Sequence, residues 1–558
     1  MEMGVADKIF RATLDDKNNI NVFFTYNADL VKSIKDVVGA RWDKNSKLWK
    51  FSALAEIANE IDNLILPKNY KKEYDDGFKS LLEKYSEIQN AQKIKFHNDL
   101  PQPDIRKFDS WNHQRQAYHY IMARDSALLY MGMGTGKTKV TVDVIMNRGH
   151  KRVLIVCPKS VLDVWKEEFE KHTSNHNSWM LFNGTKGPVK KRCADALKQL
   201  ELAEQRGVVG IYVCNYEIVW REDFKTFMKD ANIDLIVADE SQKIKGHNAK
   251  ASKALYEYGK SMKYKLALTG TPMPNSPVDI FGQMRFLNEG IFGRYFTKFK
   301  NTYCRMGGYG GYEIMEYINT DEMNEKIYSI TYKADRSVLE LPKEIHVRRY
   351  ANLEGKTLRA YNEMKNYLVV QIENGELTAS NALSQLLRLQ QIASGYVSIE
   401  NGFGEREMVQ VGTEKIDTFI DVIDEIEKDE PVVVFCRFSQ DITNVIEALK
   451  KQGRVVGELS GKRNDLADFK AGKFDSLVIQ VQAGGVGVDL TRARYCIYYS
   501  IGFSLGDYEQ SLARISRPGQ KSDHVIYTHI IARNTVDEKI YKALEDKKDI
   551  VKSIIDDL

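Results

Sequence analysis

The stretch Met131-Gly132-Met133-Gly134-Thr135-Gly136-Lys137-Thr138 carries the residue types that a bound phosphate chain requires. Gly132, Gly134 and Gly136 let backbone N–H groups turn inward around an anion, with Thr135 inside the same cradle. A helix predicted over Val140 to Met146 adds the partial positive charge of its N-terminus. In such a loop Lys137 reaches the β- and γ-phosphates of a nucleotide, and the Thr138 hydroxyl ligates Mg²⁺. The strict pattern has glycine where Met131 stands, so only the Gly-Lys-Thr half matches in full. The plain alternative is a glycine-rich turn between a strand and a helix.

Three further stretches add chemistry. Leu235 to Gln242 reads as an apolar strand ending in two acids. Asp239 would hold Mg²⁺, mostly through water, and Glu240 would orient and activate an attacking water. Acid pairs also end ordinary strands, but the phosphate loop upstream favours the chemical reading. Leu268 to Asn275, with Thr269-Gly270-Thr271, can relay the state of a nucleotide through hydrogen bonds, and is also a Pro/Gly turn. Near the C-terminus, Gln482 to Leu490 is a glycine-rich turn in which Gly484 and Gly485 suit backbone contact with phosphates. Arg514 and Arg517, three apart, are expected on one helical face, from which they could reach across a cleft as arginine fingers. Two arginines at that spacing otherwise make a solvated face.

These groups need scaffolds to hold them. Residues 1–68 read as a small α+β module. Ile20, Val22, Phe24 and Tyr26 alternate as one face of a strand, and Asn27 can cap a helix from Ala28 to about Val38 that Gly39 ends. Leu48 to Phe51 forms a second strand, and Ser52 is placed as the cap of a helix through Ile61. Residues 69–104 are expected to be a charged helical linker, punctuated by Pro101 and Pro103. Over 105–287, apolar runs such as Val153 to Cys157 and Leu235 to Ala238 alternate with amphipathic stretches, the pattern of a parallel sheet buried on both faces. Residues 288–410 are expected to be a mostly helical insertion and inter-lobe segment. A second α/β lobe spans 411–532, with strands at Val432 to Cys436, Leu477 to Gln480 and Tyr495 to Tyr499. The fold class is therefore α/β, two parallel-sheet lobes with helical insertions plus the N-terminal module. A cleft is expected where the strand ends of the two lobes face each other.

Composition narrows the setting. At 558 residues the chain is too long for one core. A net charge of +4 is compatible with nucleic acid without arguing for it. The 6 cysteines are scattered with no Cys-x-x-Cys pair, so neither a disulfide framework nor a zinc site is indicated. MEMGVADKIF lacks a hydrophobic signal region, and no apolar run approaches the roughly 20 residues that span a bilayer. A cytoplasmic protein with no membrane partner is expected.

Taken together, the stretches from His113 to the C-terminus resemble the superfamily-two helicase-like ATPases, specifically the Swi/Snf-related DNA translocases. The resemblance implies that both lobes are RecA-like. It makes Gln114 an adenine-reading glutamine and Gln510 a further nucleotide contact. It makes Val153 to Phe169, with Lys159 and Ser160, a first DNA-contacting motif. Asn215-Tyr216-Glu217, Leu383 to Ser394 and Glu458 to Gly461 fit further blocks, and Arg514 to Gln520 reads R-x-x-R-x-G-Q. Thr535 to Ile540 matches a closing brace helix within 533–558. Departures are Met131, Ser241-Gln242 where the family has a small residue and histidine, and Asp489 where asparagine is common.

The N-terminal module resembles the HepA-related domain found ahead of annealing helicases, through Gly39-Ala40-Arg41-Trp42-Asp43 and Leu48-Trp49-Lys50-Phe51. Lys32, Lys35, Arg41, Lys44, Lys47 and Lys50 against Asp36 and Asp43, interleaved with Trp42 and Trp49, suit phosphate contact plus base stacking. Either tryptophan could equally fill the core of a small domain.

The resemblance implies an ATP hydrolase stimulated by DNA, with ATP and Mg²⁺ as cofactors and duplex, forked or junction DNA as partner. It would act as a monomeric motor in a bacterial or phage-infected cell, with a nuclear setting left open. Strand annealing or fork remodelling would follow from the N-terminal module. A strand-separating DNA or RNA helicase would share the same ATPase residues. A nucleic-acid clamp that has lost hydrolysis is disfavoured by the joint presence of Lys137, Asp239, Glu240, Arg514 and Arg517. A metabolic P-loop kinase has no use for a second α/β lobe with its own arginine pair.

Overall fold

A computed structural model describes residues 8–184, 187–274, 276–311, 313–373, 379–400, 406–481 and 488–546. The chain divides into two compact units, Met1–Val338 and Leu339–Leu558.

The first unit begins with a five-stranded sheet. Its strands run Arg41–Asp43, Leu48–Ser52, Asn19–Phe24, Lys8–Leu14 and Tyr70–Tyr74 in spatial order. Alternation places Phe10, Ala12, Ile20, Val22, Trp49 and Phe51 on one face, where helices Ala28–Asp36, Ala55–Asp62 and the start of Asp76–Lys93 close the core. Asn27 caps the first helix, accepting from the Leu30 N–H at 3.0 Å. The second helix starts later than the sequence suggests: Leu54 stands at its cap and Ser52 remains in the strand.

The segment read as a linker does more than connect. Tyr70–Tyr74 pairs in parallel with Lys8–Leu14, a strand that sequence patterning had not located. Helix Asp76–Lys93 buries Phe78 in the module. Its far end lies on the next domain, where Arg124 donates to the Ile88 carbonyl at 2.8 Å and Gln92 donates to the Ser329 carbonyl. Period-two apolarity is weak in Tyr-Lys-Lys-Glu-Tyr, which is why only the pairing partner identifies the strand.

The second sheet of this unit has seven strands, all parallel: Thr331–Ala334, Ser126–Met131, Tyr264–Thr269, Leu235–Asp239, Arg152–Cys157, Val209–Asn215 and Trp179–Asn183 in spatial order. The central runs are buried on both faces, as continuous apolar strands require.

The second unit holds a six-stranded parallel sheet in the order Lys343–Ala351, His524–Ala532, Tyr495–Tyr498, Val432–Cys436, Ser476–Gln480 and Val456–Leu459. Residues 288–410 carry helices but are not helical throughout. They contribute the edge strands Thr331–Ala334 and Lys343–Ala351 to the two large sheets. They also form the hairpins Cys304–Gly307 with Glu313–Tyr317 and Tyr396–Glu400 with Arg406–Gln410. These strands are short or carry charges on alternate positions, so composition resembles that of a helix surface. Among the described residues, no helix is long and apolar enough to cross a membrane.

Candidate functional site

The strand order of the seven-stranded sheet assembles the site. Ser126–Met131, Tyr264–Thr269 and Leu235–Asp239 are adjacent, with Tyr130 level with Thr269 and Leu268 level with Asp239. The glycine loop, the Thr269 turn and the acid pair therefore leave the sheet side by side at one edge. The carboxyl ends of parallel strands are where ligands bind in such sheets. Lys159 and Ser160 are exposed on the turn that follows the neighbouring strand Arg152–Cys157, at the same edge.

Met131 explains its own departure from the glycine pattern. It is the last residue of its strand, level with Ala334 and fully buried, so the loop proper begins at Gly132. The Gly132 N–H donates to the Ala334 carbonyl at 2.7 Å, and the Thr135 hydroxyl donates back to the Gly132 carbonyl at 2.6 Å. Gly136 has φ +91°, and a Cβ there would lie 2.3 Å from Gln114 Nε2. Glycine is required on both counts. Helix Lys137–Asn147 starts at once, placing Lys137 and Thr138 in its first turn. Lys137 Nζ donates to the Met131 carbonyl at 2.8 Å, folded back over its own loop.

Gln114 and His113 support the loop from below. Gln114 Nε2 donates to the Thr135 carbonyl at 3.0 Å, its Oε1 accepts from the Trp111 N–H at 3.0 Å, and His113 Nε2 lies 2.8 Å from the same Thr135 carbonyl. Gln114 is thereby a brace for the loop, with both ends of its amide engaged.

The acids are held as tightly. Trp165 Nε1 donates to Asp239 Oδ2 at 3.1 Å, the Glu240 N–H donates to Oδ1 at 2.9 Å, and the Tyr216 hydroxyl donates to the Asp239 carbonyl at 2.7 Å. Burial, and then the like charge of Glu240, push the Asp239 carboxyl up to about 7, against the opposing pull of Lys137. Two adjoining buried carboxylates, one of them resisting ionisation, fit a divalent cation that would relieve both effects. Thr138, Asp239 and the phosphate oxygens of a nucleotide would hold Mg²⁺, which keeps several waters of its own.

Glu240 has φ +51°, uncommon for a residue with a side chain, and its carboxylate accepts from Gln242 Nε2 at 2.7 Å. Gln242 Oε1 in turn accepts from the Thr269 hydroxyl at 2.8 Å, which accepts from the Thr271 N–H at 3.0 Å. Glutamine thus bridges the acid and the Thr269 turn at the position where the family has histidine. Trp165, Tyr216 and His113 lie in motifs that the sequence resemblance marks, but their bonds to the acids and the loop were not legible, since a buried indole, phenol or imidazole finds its polar partner only in the fold.

In the second unit, Gln510 is buried on helix Leu505–Leu512. Arg514 and Arg517 do not share a helical face with each other, because that helix stops at Leu512 and both arginines sit on the turns that follow. The Leu512 carbonyl accepts from the Tyr527 hydroxyl at 2.7 Å as well as from the Ile515 and Ser516 N–H groups at 3.3 Å, the Arg514 carbonyl accepts from the Leu490 N–H at 3.1 Å, and Pro518-Gly519 prevents resumption. Asp489 accepts from the Thr491 N–H at 3.1 Å. Burial raises its carboxyl, but that bond and the nearby Arg517 charge prevail and hold it below its ordinary value. Gly484 and Gly485 lie outside the described residues.

In the N-terminal module, Arg41 and Trp42 are exposed. Trp49 is buried beneath Trp42, their ring centroids 5.3 Å apart, and belongs to the module core.

The SNF2-related domain family matches residues 111–395, just over half of the chain, and the helicase conserved C-terminal domain matches 414–519. The chain belongs to the SNF2-related family. Its curated relatives include an uncharacterized ATP-dependent helicase of Mycoplasma genitalium, 25% identical over 92% of this chain and 50% of that protein. A protein of Acyrthosiphon pisum secondary endosymbiont phage 1 is 24% identical over 80% of this chain and 98% of its own length. The human DNA repair and recombination protein RAD54B is 24% identical over 78% of this chain and 52% of that protein. The chain spans about half the length of the first of these relatives and of a second Mycoplasma helicase.

Proposed function

We propose that this SNF2-related protein hydrolyses ATP when stimulated by DNA and uses the energy to translocate on duplex DNA. The carrying observation is the single sheet edge at which the Lys137 loop, the Asp239-Glu240 pair and the Thr269 turn stand on adjacent strands, linked through Gln242. Lys137 binds the transferring phosphate, Thr138 and Asp239 hold Mg²⁺, and Glu240 positions the attacking water. Bound Mg²⁺ supplies charge neutralisation at the phosphates. Arg514 and Arg517 stabilise the charge that develops on the transferring group.

The names of RAD54B and of the Mycoplasma helicase support DNA as the partner and ATP as the fuel. Lys159 and Ser160 serve as backbone contacts to DNA on the first unit. The N-terminal module directs the motor to forks or junctions through Arg41 and Trp42, which favours annealing or fork remodelling over strand separation.

ATP hydrolysis measured with duplex, single-stranded and forked DNA and with RNA tests this reading, beside triplex-displacement and strand-displacement assays. Duplex or forked DNA should stimulate most, steeply weakened by salt, with triplex displacement and little unwinding. Greatest stimulation by RNA would overturn the DNA assignment.

A further inference from the structure

Helix Ile280–Leu287 is buried at all eight positions, and in its middle stands a glutamine, Gln283, with no exposure at all. Both ends of its amide are used. Oε1 accepts from the Ser241 hydroxyl at 2.7 Å, and Nε2 donates to the Pro272 carbonyl at 2.6 Å and to the Asp279 carbonyl at 3.3 Å. Ser241 follows Glu240 directly, and Pro272 lies on the turn that begins at Thr269. Gln283 therefore joins the two turns that Gln242 also joins, through a separate set of hydrogen bonds.

The helix carrying it is pressed against the short turn Ser241–Ile244. A Cβ at Gly282 would lie 2.1 Å from the Ile244 carbonyl oxygen and 2.9 Å from that of Lys245. That close approach puts Gln283 within reach of Ser241. It also bears on Glu240, whose left-handed backbone is strained for a residue with a side chain and persists only where its surroundings impose it.

We propose that Gln283 is a positioning residue for the reaction: by clamping Ser241 to the Pro272 turn it holds the backbone of Glu240 in the conformation that aims its carboxylate. The inference rests on the ATPase reading above. Among the described residues, the Gln283 amide bonds to Ser241, Pro272 and Asp279, so it acts on turnover through Ser241, and nucleotide binding is left to the loop.

The test uses the full chain with duplex DNA, measuring kcat, KM, equilibrium binding of a fluorescent ATP analogue and melting temperature. Gln283→Leu should lower kcat by about tenfold, because small misplacements of a catalytic group cost that much or more. Affinity for the analogue should stay within about twofold. Ser241→Ala, which removes only a buried hydroxyl, should lower kcat in the same direction, and the double variant should be no slower than Gln283→Leu alone. If Gln283→Leu does not fold, Ser241→Ala decides by the same split of kcat from affinity. A folded Gln283→Leu with parental kcat, kcat and affinity falling together, or independent effects of the two substitutions would each overturn the proposal. A parent chain that hydrolyses no ATP would remove the ATPase reading itself, and the inference with it.

Discussion

Asp239 and Asp441 are both buried aspartates near the C-terminal ends of strands in parallel sheets, both raised by burial, and they differ in the second acid that adjoins Asp239. Asp441 lies in the first turn of the helix after Val432–Cys436, where the Tyr396 hydroxyl donates to Oδ1 at 3.0 Å and the Ser500 hydroxyl to Oδ2 at 2.5 Å. Burial raises its carboxyl, while Ser500, the Lys415 charge and Tyr396 pull it back. It is sealed within its unit as a structural group. Asp239 adjoins a second acid, which adds to the cost of its own burial. The difference teaches that a buried acid signals chemistry when a second acid adds to the cost of its burial, as Glu240 does for Asp239.

The sharpest break of the comparison is at the catalytic edge. Lys137→Ala should abolish hydrolysis. Glu240→Gln should lower turnover on the order of 10²–10⁴-fold while ATP still binds, since the acid positions water and does not grip the nucleotide. Near-parental turnover of Glu240→Gln in a steady-state assay would remove that assignment. Next in size, Arg517→Ala should cost on the order of 10³-fold in turnover, with Arg514→Ala similar or slightly milder. Nucleotide titrations should show little change in affinity; a parallel loss of binding would make the arginine a ground-state ligand.

The aspartates themselves should then diverge. Asp441→Ala leaves two buried hydroxyls without their acceptor and should cost about 1–3 kcal/mol of stability, with turnover per folded molecule kept. For Asp239 the folded carboxyl is raised, so the stability it contributes is full below its unfolded value near 3.8 and is lost as pH rises through about 7. Asp239→Asn should therefore raise the melting temperature of the nucleotide-free protein at pH 8 more than at pH 4, while losing turnover. Equal melting shifts at the two pH values would contradict the raised carboxyl.

The smallest effects belong to the tryptophan pair. Trp42→Ala should keep the module folded and weaken fork binding by about 1–3 kcal/mol if a base stacks there. Trp49→Ala should instead loosen the module core, seen as early melting or proteolysis of residues 8–78. Intact folding of Trp49→Ala with weakened fork binding would reverse the two roles.

Much of this was legible in order along the chain. Glycines before Lys137-Thr138, an apolar run ending in Asp239-Glu240 and two α/β lobes are local patterns, because loop conformation and period-two or continuous apolarity depend on near neighbours. The strands at 70–74, 331–334 and 343–351 were not legible, since each is identified by a partner far away in sequence. The helical face expected for Arg514 and Arg517 failed for a similar reason: the Leu490 N–H, distant in sequence, takes the Arg514 carbonyl.

By itself, then, the sequence determined which residues could do phosphate chemistry and that two parallel sheets would carry them. The tertiary structure alone decided that the strand Tyr264–Thr269, last of the three in sequence, inserts between Ser126–Met131 and Leu235–Asp239. That insertion sets Thr269 between loop and acids, and lets Gln242 and Gln283 tie the turns together. Spatial strand order arises from burying both sheet faces under helices, a condition on the whole domain that no local window of sequence contains.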